Sequence, residues 1–396
     1  MIRELNVEGH KNKVKIENTL GMFDLLKGVV MFIMVLFHNR SVFPELVMDR
    51  AVATTEKATV KFLGYGYELA VFARIVFSVV VSFGISLMPA LMVLGGYGFR
   101  KRKISKALSG LTVEILIPYI FTMVVTTVAH FFLHYAFFNY FRGAVEESFK
   151  VLGGMMLGLS QTSSFGSVVL FANGPIWYLL ATFWSLFTFD IVLNIANERH
   201  VVFYVGGISI AGWLLSYIKY VPWCLSQGLV GVAFVYIGYR LKKSKFYSKE
   251  HSVKEKSIYI LLVFIPSIVL CFFGLIIEMA DNVYSLGPVS IIESGLFSIL
   301  LIYLFLRINT LRGPISGSFR IAGRYSLYVM CVHTVEMIAI PWYAVKEYLH
   351  MSPLLGFFVV YFARIIIIAF GVFIVIKVSS LKKLLKEKIK LNKKEA

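Results

Sequence analysis

Apolar runs of transmembrane length recur along this chain, and they restrict its fold more than any other feature. A hydrocarbon core of ~30 Å is crossed by about twenty apolar residues in helical conformation. Such runs can be read at about 22–43, 71–98, 111–138, 175–196, 201–218, 222–240, 257–279, 288–306, 321–345 and 354–378. Inside a bilayer the backbone must satisfy its own hydrogen bonds, so each run is expected as a helix. The expected fold class is an all-α polytopic integral membrane protein with about ten transmembrane helices. Composition agrees: 58% of the 396 residues are hydrophobic and 15% are aromatic, too apolar a mixture for a soluble domain of this length. The 35 phenylalanines read as span packing and interface anchoring, not as a cofactor box.

Charge then sets orientation. The formal net charge of +18 would suit a nucleic-acid binder if it formed one surface, but the cations sit in short connections and the C-terminal tail. With the N-terminus inside, 29 Lys and Arg fall in inner segments and 7 in outer connections. The positive-inside rule places both termini in the cytoplasm, in a multi-pass protein of the cytoplasmic membrane. The expected organisation is a cytoplasmic segment 1–21, a transmembrane domain 22–379 and a basic cytoplasmic tail 380–396. The tail, Lys382-Lys383-Leu384-Leu385-Lys386-Glu387-Lys388-Ile389-Lys390, either lies along an anionic inner leaflet or only enforces topology. The longest outer connection, 139–174, has a short apolar patch at 151–159 and is expected to be either a cover over an outward-facing site or a passive connector. Gly84, Pro89, Gly95 and Gly96 mark where the second run can bend. No cleavable leader is read at the N-terminus, because a polar stretch runs directly into a full-length span. Cys224, Cys271 and Cys331 lie in apolar runs without metal-ligand spacing, and no disulfide framework is implied. No internal repeat of the transporter kind is visible.

The first run carries the most chemistry. Lys27 and His38 are eleven residues apart, about 16 Å along a helix. A cation near the inner interface can meet a phosphate, while an imidazole well inside the hydrocarbon is read first as functional. Asp24, one turn before Lys27, would orient it. A neutral His38 can accept a proton from a hydroxyl; the plainer alternative is that it only hydrogen-bonds a neighbouring helix. Arg74, Glu114, Asp190, Glu278, Glu293, Glu336 and Arg364 also lie in or near spans and must pair or face water, with Asp190 and Arg364 as plausible structural partners. His130 and His134, one turn apart, have no third ligand at useful spacing and read as an interfacial helix face. No metal site is expected.

Asp24-x-x-Lys27-Gly28, followed after ten residues by His38, resembles the opening motif of the acyltransferase-3 family of integral membrane O-acyltransferases. Further stretches line up in order. Leu94-Gly95-Gly96-Tyr97 resembles the family's second-span ending, and Leu116-Ile117-Pro118-Tyr119 its third-span Pro-Tyr signature. Pro175-Ile176-Trp177-Tyr178-Leu179 is similar to the middle-span Trp-Phe/Tyr-Leu motif, and Tyr236-Ile237-Gly238-Tyr239 with Arg240 and Lys242 to the Gly-Tyr-basic exit. Gly323-Arg324-Tyr325-Ser326-Leu327-Tyr328 leading to His333 resembles the late Gly-x-x-Ser-Leu…His motif. The likeness covers about 20–345. The chain departs from the family where an Arg-x-x-Arg often precedes the Pro-Tyr: here stand Leu111 and Glu114.

The resemblance implies transfer of an acetyl group from cytoplasmic acetyl-CoA to a hydroxyl of an extracytoplasmic saccharide or cell-envelope glycan. The rival class is a transporter or flippase for a glycan intermediate. Acetyl-CoA is expected as a donor substrate and no cofactor as a permanent resident. The partners expected are the donor, a cell-surface glycan or lipid-linked sugar, the lipid bilayer and no nucleic acid, with a homo-oligomer left open. His38 is the expected base, and Lys27 with Arg100, Arg102 and Lys103 the expected donor-binding cations; either the 100–106 cations replace the missing arginine pair or donor binding differs in detail. Asn39, Arg40, Trp177 and Tyr178 are open alternatives for steadying an oxyanion, and His333 joins them as an acceptor or oxyanion candidate through the family motif.

Overall fold

The computed structural model describes residues 21–39, 41–43, 84, 86–218, 220–249, 251–273, 275 and 277–380, and the backbone alone of 59–62, 65–68 and 381–395. Its secondary structure is almost wholly helical. Asp24–Asn39 forms α1 and Leu87–Gly98 α2. Ile104–Phe138 is α3, Phe141–Leu157 α4 and Gly174–Ile195 α5. Val201–Leu215 is α6 and Pro222–Lys243 α7. Val253–Tyr259 runs through a π-helical stretch, Ile260–Phe264, into Ile265–Phe272, together α8. Pro288–Thr310 is α9, Pro314–Arg324 α10, Ser326–Ala339 α11, Trp342–Leu349 α12 and Pro353–Glu395 α13. The strands form three separate two-stranded hairpins in the connections.

Local sequence explains many of these boundaries. Pro175, Pro222, Pro288 and Pro314 stand in the first turn of their helices, where a missing N–H costs nothing. Inside a helix the same residue has to be accommodated. In α3 the π-helical stretch Thr112–Leu116 immediately precedes Ile117-Pro118, and in α8 Ile260–Phe264 precedes Ile265-Pro266. Ser252 and Glu255 close a capping box at the start of α8. The Ser252 N–H and hydroxyl hold the Glu255 carboxyl below the usual carboxylate range.

Among the described residues, α3, α5, α7, α9 and the Pro353–Ser380 part of α13 are long and apolar enough to cross a membrane. The α11–α12 pair, bent by 62°, adds a sixth candidate. The protein is thus membrane-embedded and helical. The other expected runs correspond to shorter or interrupted elements: α1 has 16 residues, α2 has 12 and α6 has 15. Most of the second run's first half, including Arg74, lies outside the described residues. So does Arg40. The 139–174 connection is more than a connector, because α4 is a 17-residue helix packed on α3, followed by a hairpin of Ser163–Phe165 with Val168–Leu170.

Within the bundle α7 is central, packed on α2, α5 and α6, while α3 and α13 expose side chains such as Phe121, Phe132, Ile366 and Phe370 outward. Two helix crossings bring backbones into contact through glycine. A Cβ on Gly96 would lie 2.0 Å from the Val235 carbonyl oxygen of α7, and one on Gly238 1.9 Å from that of Val93 in α2. At the α1–α10 crossing, a Cβ on Gly28 would lie 1.7 Å from the Phe319 oxygen and one on Gly323 1.8 Å from that of Asp24. Small residues permit this approach, and each pair is reciprocal.

Contacts sort the connections to two ends. At one, Arg324 pairs with Asp24 at 3.6 Å, the Arg102 N–H donates to Asp190 Oδ1 at 2.9 Å, and Lys243 pairs with Glu198. At the other, Trp223 and Tyr220 donate to the carbonyls of Met156 and Leu157, and Ser226 meets Asn282. The basic connections therefore share one end of the bundle.

Candidate functional site

At the basic end, α1 starts beside a cavity of about 700 Å³. Lys27, Arg100 and Lys242 line it together with Asp24, Tyr97, Tyr178 and Ser326. Asp24 bonds Lys27 Nζ at 2.9 Å on one side and faces Arg324 Nε at 3.6 Å on the other. The reciprocal glycine crossing of α1 and α10 fixes that pairing, since it sets the Asp24 backbone directly against Gly323 of the facing helix. Lys27 is thereby held at the rim by a carboxylate while three cations converge on one concavity. Such an arrangement suits a polyanionic group.

Further in, the lining becomes apolar: Met31, Leu91, Leu94, Leu179, Leu327 and Met330. His333 follows Met330 by one turn, and His38 follows Met31 by two, about 10 Å along α1. There the two rings meet, His38 Nδ1 lying 3.0 Å from His333 Nε2. His333 is fully buried and His38 half-buried.

Behind the histidines stands a buried polar network. His333 Nδ1 lies 2.5 Å from Glu336 Oε1, and Trp342 Nε1 donates to Glu336 Oε2 at 2.8 Å. Arg364 Nε donates to both Glu336 oxygens at 3.1 and 3.2 Å, and its Nη1 to Asn39 Oδ1 at 3.4 Å. Asn39 Nδ2 donates to the Phe357 carbonyl at 2.9 Å. The break between α11 and α12 turns Trp342 back onto Glu336. Arg364 Nη2 is buried without a hydrogen-bond partner among the described residues.

This pattern assigns the tautomers. The Glu336 carboxylate only accepts, so His333 Nδ1 carries the proton and His333 Nε2 is an acceptor. His38 must then donate from Nδ1, which puts its lone pair on Nε2, without a hydrogen-bond partner among the described residues. A free imidazole nitrogen backed by a carboxylate-oriented partner is the arrangement of a general base.

Of the residues singled out from sequence, Asp24, Lys27, Arg100 and Tyr178 line the cavity, and His38, Asn39 and His333 join in the network. Arg102 and Lys103 do not line the cavity. Arg102 bonds Asp190 through its backbone and faces Glu114 at 3.6 Å, and Lys103 is exposed at the start of α3. Trp177 is buried in the core edge-on to Tyr178, 6.0 Å between ring centroids. The Asp190–Arg364 partnership is corrected: Arg364 pairs with Glu336, and Asp190 takes the Arg102 N–H. His130 Nδ1 meets Ser148 Oγ at 2.9 Å and its ring stacks on His134, and no three metal-ligating side chains cluster among the described residues. Trp342 and the pairing role of Glu336 went unread. The available signal was His333-x-x-Glu336, a spacing that puts both side chains on one helix face. Compared with models of protein families, with curated proteins and with solved structures, the chain matches none.

Proposed function

We propose that the protein is a membrane O-acyltransferase of the acyltransferase-3 type, with ten crossings and both termini cytoplasmic. It moves an acetyl group from cytoplasmic acetyl-CoA to a hydroxyl of an extracytoplasmic saccharide or cell-envelope glycan. The observation that carries this reading is the basic cavity beside the start of α1, with a histidine pair further along that helix in which His38 Nε2 has no hydrogen-bond partner among the described residues.

In this mechanism Lys27, Arg100 and Lys242 hold the anionic head of the donor, and its flexible thioester arm passes between Met31 and Met330. The acceptor hydroxyl gives its proton to His38 Nε2 as its oxygen attacks the thioester carbonyl. The carbon–sulfur bond then breaks, and the departing thiolate takes the proton from His38, giving free CoA and the ester. Charge arising on His38 is stabilised through His333 by Glu336. Asn39 bonds Arg364 through Oδ1 and the Phe357 carbonyl through Nδ2, so in this mechanism it positions the network. The unpartnered Arg364 Nη2 is the N–H in this network available to a developing oxyanion.

Purified protein in lipid should release CoA from acetyl-CoA when acceptor is supplied. His38→Ala should retain its fold and donor binding and lose transfer by about 10²–10⁴-fold. Near-normal turnover by folded His38→Ala would overturn the assignment. Acceptor movement across the membrane without CoA release would favour a flippase.

A further inference from the structure

A second, smaller cavity of about 190 Å³ opens at the basic end, away from the first. Lys101, Arg240, Tyr236 and Tyr239 supply its polar lining, and Leu193, Ala196 and Val201 its apolar wall. Glu198 is its one acidic lining residue, and it is already paired with Lys243. Asp190, nearby on α5, is occupied by the Arg102 N–H. Lys101 and Arg240 have no ion pair, and their side chains no hydrogen bond, among the described residues; the Arg240 guanidinium lies 5.9 Å from the Tyr236 ring centroid. Two cations without a direct ion pair among the described residues, Lys101 in the field of Asp190 and Arg240 in that of Glu198, thus line with two phenols a space that the mechanism does not use.

The apolar wall identifies the source of the anion. Ala196 and Val201 are chain neighbours of Ile195 and Val202, which with Phe203 are exposed at 64, 46 and 73% on the outward surface of α5 and α6. A soluble anion would have no use for that surface, whereas an acyl chain would lie along it. Basic and tyrosine side chains at a membrane interface are a recurrent setting for phosphate headgroups. We propose that this pocket binds the phosphate of an anionic phospholipid, with Lys101 and Arg240 as its charged contacts.

The test uses the full chain in nanodiscs of phosphatidylcholine, with or without phosphatidylglycerol replacing a third of the lipid. Native mass spectrometry of the released protein should show phosphatidylglycerol retained in preference to phosphatidylcholine. Lys101→Ala with Arg240→Ala should reduce that retention about tenfold. The charge-conserving pair, Lys101→Arg with Arg240→Lys, should keep it, which separates lost charge from lost fold. Equal retention of both lipids, or retention unchanged by the alanine pair, would overturn the proposal. Displacement of the lipid by millimolar inorganic phosphate would assign the pocket to a soluble anion and overturn the lipid source.

Discussion

At the scale of single residues, the site depends on which atom holds each proton. Glu336→Gln keeps the shape of the side chain but removes the charge that fixes His333. It also strands Arg364 without its carboxylate, and breaking a buried pair costs about 3–5 kcal/mol. The expected outcome is a large fall in kcat with little change in KM for acetyl-CoA, measured on the fraction that remains folded. A rise in KM with kcat unchanged would show that Glu336 serves the donor and not the base. Lys27 divides the labour differently. At about 16 Å from His38 it reaches only the far end of a long donor. Lys27→Ala should therefore weaken acetyl-CoA affinity and Lys27→Arg should be tolerated, as read by calorimetric titration. Unchanged affinity with a lost chemical step would make Lys27 a structural partner of Asp24. Much of this was legible beforehand. His38 stands out as an ionisable group where the bilayer penalises it, Lys27 as a cation that can reach the inner interface with Asp24 one turn before it, and His333 through the late motif of the family resemblance. The partners of Arg364 were not legible, because an apolar run states that a buried charge needs a partner without saying which distant residue supplies it.

Elements carry the next level. The glycines of the opening and late motifs read in sequence as signature letters, and the structure gives them a physical task. Gly28 and Gly323 let α1 and α10 touch backbone to backbone, which places Asp24 beside Arg324 and sets the start of α1 over the cavity. Gly323→Ala would put a methyl 1.8 Å from the Asp24 oxygen, so the helices must separate. A drop of several degrees in melting temperature and a loss of donor affinity are expected. Gly317→Ala, on the same helix and away from the cavity lining, has a Cβ that would meet nothing within 4 Å; it is the matched control and should be silent. Equal effects from both would refute the crossing argument. Hydropathy located α5, α7 and α9 closely, but it carried the α8 run to 279 where the helix ends at Phe272, and it read 321–345 as one run where the structure has the end of α10, α11 and part of α12. The π-helical stretches before Pro118 and Pro266 and the 62° bend between α11 and α12 arise from local hydrogen bonding and tertiary packing, to which a sliding window is blind.

For the whole molecule, the basic connections sort to one end and the remaining described connections to the other. Sidedness is open to chemical labelling. A cysteine introduced in 241–256 should be shielded from an impermeant outside reagent, and one in 142–170 should react. The native thiols give little background, since Cys224 and Cys271 are buried and Cys331 is half-buried. The reverse pattern would invert the protein and move the donor cavity to the wrong compartment.

The methionine floor of the main cavity has a further consequence at this scale. Met31 and Met330 line the cavity, and a chain of titratable side chains begins two turns and one turn further along α1 and α11, at His38 and His333. Were that chain wetted from both ends, it would become a proton wire and discharge the cell's electrochemical gradient. Thioethers are flexible enough to part for a slender acyl arm and greasy enough to exclude water when none is there. On the proposed function, a protein that passes an acyl group across an energised membrane must also be an insulator, and these two side chains would serve both demands.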